Sequence, residues 1–222
     1  MGTLYLVRHG QASFGADDYD VLSLLGMKQA ARLGEYFKTR GVVFDAALTG
    51  TLKRQISTHE GICKGMETTP HAMQWPGLNE YDSHAVIATV HAGPLEKPTT
   101  PEMYRHHFRL LKEGLQKWMD GTASPPGMPT YPEFLVGVTS ALDHIRAHCT
   151  GNVLLVSSGG PIATAVGHVL GCKPDVTIEL NLRIRNSSVT EFAFTPKRHM
   201  LVTYNTLPHL NEPEDARLIT YA

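Results

Sequence analysis

Basic residues that could bind an anion follow two short apolar segments of the chain. Arg8 and His9 come directly after the apolar run 3–7, and Arg54 opens a helical segment after the run 44–48. Two guanidinium groups form a natural clamp for a phosphate, because each presents a planar fork of N–H donors to its oxygens. The sequence therefore predicts an anion site shared by Arg8 and Arg54. Taken singly, Arg54 could equally be a surface residue of its helix.

A third junction of this kind lies at residues 156–161, VSSGGP. Two glycines let the backbone approach a ligand closely, and the free N–H groups at a helix N-terminus attract anions. Ser158 and Gly159 are therefore candidate ligand-binding residues. The alternative is that Ser158 caps the helix with its side chain and binds no ligand.

Alternating strand-like and helix-like segments position these junctions. Short apolar or alternating runs predict strands, and three-to-four spacing of apolar residues predicts helices. The predicted strands are 3–7, 44–48, 152–156, 188–194 and 200–204, and the predicted helices are 24–41, 52–63, 132–148 and 161–170. This order predicts an α/β fold, a three-layer α/β/α sandwich around a mostly parallel sheet. Parallel strands end at one edge of a sheet, where ligands bind in such folds.

Residues 76–132 differ in composition from the rest of the chain. They contain much of the proline and one predicted helix at 101–119, and their apolar content is thin. We interpret them as an inserted cap within a single domain that spans residues 1–222.

Composition excludes several classes of protein. The 20 Lys and Arg residues balance 21 Asp and Glu residues, so no net charge draws the chain to nucleic acid or to an anionic membrane. Three unpatterned cysteines and the lack of a long apolar run favour a soluble cytoplasmic protein. His144 and His148, or the acids Asp17, Asp18 and Asp82, could suggest a metal, but neither set is complete. We therefore expect no metal and no cofactor.

Taken in order, these motifs resemble the histidine phosphatase superfamily, the phosphoglycerate mutase-like proteins. The resemblance covers nearly the whole chain. It includes Arg8-His9-Gly10, the stretches 22–30 and 52–54, Leu78-Asn79-Glu80, Gly159-Gly160, the stretch 186–189 and His209-Leu210.

The resemblance implies a role for each matching residue. His9 matches the histidine that attacks phosphorus and becomes a phosphohistidine. Arg8 and Arg54 match the arginines that hold the phosphoryl oxygens, and Glu80 matches the acid that protonates the leaving oxygen. The implied activity is hydrolysis of a small phosphorylated substrate.

The chain departs from the family at three positions. Ser158 occupies the place of the second catalytic histidine, and Ala12 and Gly15 replace residues that are often threonine and asparagine. A neutral donor in place of a charged one costs on the order of 1–2 kcal/mol. The alternatives are therefore a catalytically weakened protein that binds a phosphate ligand and, less favoured, a phosphoglycerate mutase. We expect Ser158→His to raise the rate, unless a neighbouring side chain fills the space.

Overall fold

A central sheet of six strands positions the predicted junctions. The computed structural model describes residues 1–13, 20–93 and 95–221, and every structural statement below concerns these residues. The strand order is β3-β2-β4-β1-β5-β6. The strands are β1 (Gly2–Arg8), β2 (Ala46–Thr49), β3 (Met73–Gln74), β4 (Asn152–Ser157), β5 (Val189–Thr195) and β6 (Arg198–Thr206).

Seven α-helices flank this sheet in the part of the chain that the structure describes. They are α1 (Leu24–Thr39), α2 (Lys53–Met66), α3 (Ser83–Ala88), α4 (Pro101–Met119), α5 (Tyr131–His148), α6 (Gly159–Leu170) and α7 (Pro174–Arg183). Short 3₁₀ turns lie at Pro76–Leu78 and Pro213–Leu218. None of the described helices is long and apolar enough to cross a membrane.

The sheet is mostly parallel, as predicted. β4 pairs in parallel with β1 and β2, and β2 pairs in parallel with β3. β5 pairs antiparallel with both β1 and β6. The connection between β5 and β6 is too short for the crossover that parallel strands need, so this side of the sheet ends in a hairpin.

Both faces of the sheet are covered, which confirms the three-layer fold. Along β1, Leu4 and Leu6 pack into a core with α4, α5, α6 and α7. Val7 packs on the opposite face, in a second core with α1 and α2. Successive residues of a strand point to opposite faces, so two layers of helices bury residues on both faces of the central strands.

The segment 76–132 packs directly onto the rest of the fold. The second half of α4 contributes Leu115 and Trp118 to the same core as Leu4 and Leu6. Trp118 is only 2% exposed, and its indole N–H donates to the carbonyl of Pro129. The first half of α4 is mostly exposed.

Candidate active site

His9 lies at the carboxyl edge of the sheet, one residue beyond β1. Arg8 is in register with Ser157 of β4, and the His9 N–H donates to the Ser157 carbonyl at 2.9 Å. His9 is only 3% exposed. This placement sets His9 beside Ser158, on the face of the sheet that α1 and α2 cover.

The two ring nitrogens of His9 have partners of opposite kind. The Nε–H of Arg54 donates to Nε2 at 3.2 Å, and Nδ1 lies 2.7 Å from the carbonyl oxygen of Gly10. A guanidinium can only donate and a carbonyl can only accept. Nδ1 therefore carries the ring proton, and Nε2 presents a lone pair.

The surroundings of His9 keep its ring neutral. Burial, together with the positive charges of Arg8 and Arg54, lowers the pKa of His9 well below its ordinary value of 6.5. The hydrogen bond to Gly10 opposes this effect. The charges of both arginines thus act on the imidazole, and Arg54 also contacts it directly.

Arg54 is anchored in the first turn of α2. It is 8% exposed, so it is not the surface residue that its position in a helix allowed. Its Nη1 forms an ion pair with Asp20 at 2.7 Å, and Asp20 also accepts the backbone N–H of Lys53. Asp20 therefore holds both the guanidinium and the start of the helix.

Arg8 is fixed from the opposite side of the sheet. Its Nη1 donates to the carbonyls of Ile184 and Tyr221, at 2.5 and 2.6 Å. An ideal Cβ built on Gly159 would lie 3.8 Å from Arg8 Nε, so the start of α6 borders this guanidinium. The segment that contains Tyr221 thus helps to orient the Arg8 guanidinium.

Glu80 reaches the same edge from the segment that follows β3. Its carboxylate accepts the backbone N–H of Gly160, at 3.1 and 3.2 Å to its two oxygens. Burial raises the pKa of Glu80 above its ordinary value of 4.5, against the opposing effects of Gly160, Arg8 and Arg54. A carboxyl group with a raised pKa retains its proton longer, as a general acid must.

Ser158 occupies the N-cap position of α6, but its side chain makes no capping hydrogen bond. Ser158 is therefore the N-cap residue that the alternative interpretation expected, but its side chain does not satisfy the helix N-terminus. Its hydroxyl oxygen instead accepts a hydrogen bond from the side-chain amide of Gln55, at 2.9 Å. The side chain is 0% exposed.

The sequence interpretation missed three residues that organise this edge. Asp20 and Gln55 contact Arg54 and Ser158 as described, and Thr58 accepts the Gly10 N–H at 3.0 Å. Gln55 and Thr58 follow Arg54 by one and four positions. That spacing was a usable signal, because it places Thr58 on the same side of α2 as Arg54.

The other sequence candidates have different contacts or lie outside the described residues. Asp82 caps α3 through the backbone N–H groups of His84 and Ala85. The rings of His144 and His148 neighbour each other on α5, 4.9 Å apart. Asp17, Asp18 and Gly15 lie outside the described residues. Ala12 is buried and forms an isolated bridge with Leu22.

Two cavities flank the sheet at opposite edges. One of about 320 Å³ borders Glu80 and is lined by Met128, Pro129 and Phe134 among others. A larger one of about 450 Å³ is lined by residues such as Asp45 and His71. The larger cavity lies at the start of β2, away from the strand ends that carry His9.

The fold and this arrangement agree with a known family. A sequence profile of the histidine phosphatase superfamily (branch 1) matches residues 4–207. The chain therefore belongs to the histidine phosphatase superfamily, and its fold is phosphoglycerate mutase-like.

Solved structures of low identity share this fold. A mutant phosphoserine phosphatase from Entamoeba histolytica, in complex with phosphoserine, is 21% identical, with a TM-score of 0.65 over 95% of this chain and 100% of that one. A phosphoglycerate mutase from Bacillus anthracis is 21% identical, with a TM-score of 0.66 over 94% of each chain. A mycobacterial glucosyl-3-phosphoglycerate phosphatase in complex with VO3 is 19% identical, with a TM-score of 0.67 over 93% of this chain and 100% of that one.

Proposed function

We propose that this protein hydrolyses small phosphomonoesters through a phosphohistidine formed on Nε2 of His9. The observation that carries the proposal is the tautomer of His9. Nε2 bears a lone pair because Arg54 donates to it, and Nδ1 is held by the Gly10 carbonyl. A nucleophilic imidazole requires such an unprotonated nitrogen in a ring of fixed orientation.

The first step transfers the phosphoryl group to the protein. Nε2 of His9 forms a bond to phosphorus as the bond between phosphorus and the ester oxygen breaks. Arg8 and Arg54 hold the phosphoryl oxygens, where guanidinium groups balance negative charge. Glu80 gives its proton to the leaving oxygen, which departs as an alcohol. Its raised pKa supports this assignment.

The second step regenerates the free histidine. The Glu80 carboxylate takes a proton from water, and the water oxygen attacks phosphorus as the bond from phosphorus to Nε2 breaks. Inorganic phosphate leaves and the lone pair returns to His9. The cavity of about 320 Å³ beside Glu80 offers room for the alcohol portion of the substrate.

The test is a comparison of His9→Ala with wild type, using p-nitrophenyl phosphate in the presence of a chelator. We expect hydrolysis in wild type and a loss of at least about a thousandfold in the variant, because the nucleophile is removed. Rapid quenching with labelled substrate should trap an acid-labile, base-stable phosphoprotein in wild type only.

His84→Gln is the matched control, because the His84 side chain is 97% exposed and its ionic neighbour is Asp82, which has no role in the proposed transfer. It should retain wild-type activity. A His9→Ala variant that keeps most of the rate would exclude His9 as the nucleophile. Phosphate binding without turnover in wild type would favour a ligand-binding protein instead.

A further inference from the structure

The orientation of the Gln55 amide is fixed by its surroundings. Gln55 is fully buried on α2, directly after Arg54. Its Nε2 donates to the Leu78 carbonyl at 2.9 Å, and its Oε1 accepts the Leu52 N–H at 3.3 Å. A carbonyl only accepts and a backbone N–H only donates, so the opposite amide orientation would lose both bonds. The remaining amide hydrogen therefore points to Ser158.

This orientation determines what the Ser158 hydroxyl can do. Its oxygen accepts from Gln55 Nε2 at 2.9 Å, so its own hydrogen must point to a different acceptor. Within residues 1–13, 20–93 and 95–221, the Ser158 hydroxyl donates no hydrogen bond to any described acceptor. A buried donor without an acceptor is costly, and a bound phosphoryl oxygen would satisfy it.

Ser158 and His9 are adjacent in the fold. Leu154 and Val156 of β4 share one core with Val7 of β1, so by alternation Ser158 and His9 extend the same face. Two consecutive residues of α2 contact these two strand ends. Arg54 donates to His9, and Gln55 donates to Ser158.

We propose that Gln55 is a positioning residue that fixes the Ser158 hydroxyl as a hydrogen-bond donor to the phosphoryl group attacked by His9. The inference rests on the proposed function and deepens it. The pair of Gln55 and Ser158 supplies a neutral donor where the resemblance implies a histidine. Because the amide sets the direction of the hydroxyl, neither residue performs this task without the other.

A double-mutant cycle tests this coupling. We expect Ser158→Ala and Gln55→Met each to lower kcat about tenfold or more, with a smaller change in KM, because the hydroxyl acts where charge gathers during transfer. The double variant should be no slower than Ser158→Ala, since an absent hydroxyl needs no positioning. Losses that multiply in the double variant would overturn the proposal.

Gln29 offers a matched control. It is also fully buried, and its amide donates to the Leu218 carbonyl and the Thr220 hydroxyl while it accepts the Gln11 N–H. Gln29→Met thus removes an equivalent set of buried hydrogen bonds from α1. Its effect on kcat, whatever its size, should multiply with that of Ser158→Ala. If Gln29→Met and Gln55→Met were equally coupled to Ser158→Ala, Gln55 would be only a structural residue and the proposal would fail.

A second pair of variants tests whether the side chains at positions 158 and 55 share one limited space. Ser158→His alone should lower kcat, because the ring meets the Gln55 amide that now lies 2.9 Å from Ser158 Oγ. This revises the expectation from sequence that the substitution raises the rate. Gln55→Ala removes as many side-chain heavy atoms as Ser158→His adds, so the combined variant should exceed Ser158→His in kcat. A combined variant slower than both single variants would contradict the proposal.

Orthovanadate binding separates this inference from the proposed function. Vanadate resembles the phosphoryl group in its transition state, and its affinity can be measured from the shift in Tm without turnover. Ser158→Ala and Gln55→Met should weaken vanadate binding by similar factors, with no further loss in the double variant. If wild type hydrolyses phosphate esters but the two substitutions weaken vanadate binding independently, the inference fails and the proposed function stands. Inactive wild type with coupled vanadate binding would overturn only the proposed hydrolysis.

Discussion

His9 and Glu80 are held at this edge of the sheet with pKa values shifted in opposite directions. Burial and two arginines lower the pKa of His9, whereas burial raises the pKa of Glu80. The imidazole therefore stays neutral to lower pH than an ordinary histidine, and the carboxyl group keeps its proton to higher pH than an ordinary glutamic acid. This combination suits a reaction that needs an unprotonated imidazole and a protonated carboxyl group at the same pH.

The pH dependence of hydrolysis should follow from these two shifts. As the pH rises through the raised pKa of Glu80, the protonated acid is lost, so kcat should decline for an alkyl phosphate. p-Nitrophenyl phosphate needs little protonation of its leaving group and should show a weaker decline. Protonation of His9 should limit the rate only well below pH 6.5. Profiles of kcat for both esters, measured between pH 4 and 8, check this expectation.

Glu80→Gln keeps the size of the side chain but removes the proton donor. It should slow the alkyl ester by about a hundredfold, and it should slow p-nitrophenyl phosphate much less. Equal losses for the two esters would exclude Glu80 as the general acid.

At the scale of residues, reactive and charged side chains that follow a predicted strand could be identified from the sequence. Arg8, His9 and Arg54 follow apolar runs, and in the fold Arg54 contacts the ring of His9. Gln55 and Asp20 could not be predicted in this way. Their importance comes from contacts with Ser158 and with Arg54 that only the folded chain creates.

At the scale of elements, the start of α6 connects the strand end of β4 to the acid. The Gly160 N–H donates to Glu80, and this approach leaves no room for a side chain. A Cβ on Gly160 would lie 2.2 Å from Glu80 Oε1 and 2.6 Å from the ring of Tyr81. The glycine is thus required by the packing of Glu80 against the helix.

Gly160→Ala should displace the Glu80 carboxylate. We expect the free energy of unfolding to fall by about 1–3 kcal/mol through overpacking, and alkyl phosphate hydrolysis to slow about tenfold or more. Gly171→Ala at the other end of α6 is the control, because Gly171 has a φ of +66° with nothing within 4 Å of its Cβ position. It should cost about 1–2 kcal/mol and leave kcat unchanged. Urea unfolding and steady-state kinetics of both variants decide the matter.

Elements with a long periodic sequence were predicted closely, and short ones were missed. The helix predicted at 101–119 is α4 (Pro101–Met119), and the strand predicted at 152–156 is β4 with one more residue. α3 (Ser83–Ala88) and β3 (Met73–Gln74) have too few residues to show a period. α7 (Pro174–Arg183) was also missed, because it buries only Thr177 and Ile178.

At the scale of the whole molecule, several buried histidines make stability depend on pH. Burial and the nearby charge of Arg32 lower the pKa of His209 to about 3, and burial lowers that of His199 to about 4. In the unfolded chain these groups bind protons below their ordinary pKa of 6.5. The folded state does not, so acid shifts the equilibrium towards unfolding.

Stability should therefore decline as the pH falls below about 6.5, by at most about 1.4 kcal/mol per pH unit for each such histidine, down to about pH 4 for the more exposed His199 and about pH 3 for His209. His209→Gln should flatten this decline, since glutamine binds no proton but can still bond to the Ser187 hydroxyl, which His209 Nε2 contacts at 3.0 Å. Urea midpoints at pH 7, 6 and 5 measure the slope. His84→Gln, at an exposed position, should leave the slope unchanged, and parallel curves for His209→Gln and wild type would refute the assignment.

The position of β1 in the middle of the sheet has a consequence for how the chain is made. Leu4 pairs with Val153 on one side and with Phe192 on the other, so both partners of β1 are synthesised long after it. Such distant pairings slow folding and leave apolar segments exposed meanwhile. On the ribosome, β1 must wait until both β4 and β5 have emerged. The residues that carry His9 are thus translated well before the two strands that complete their native surroundings, and their apolar neighbours stay open to non-native contacts in the meantime.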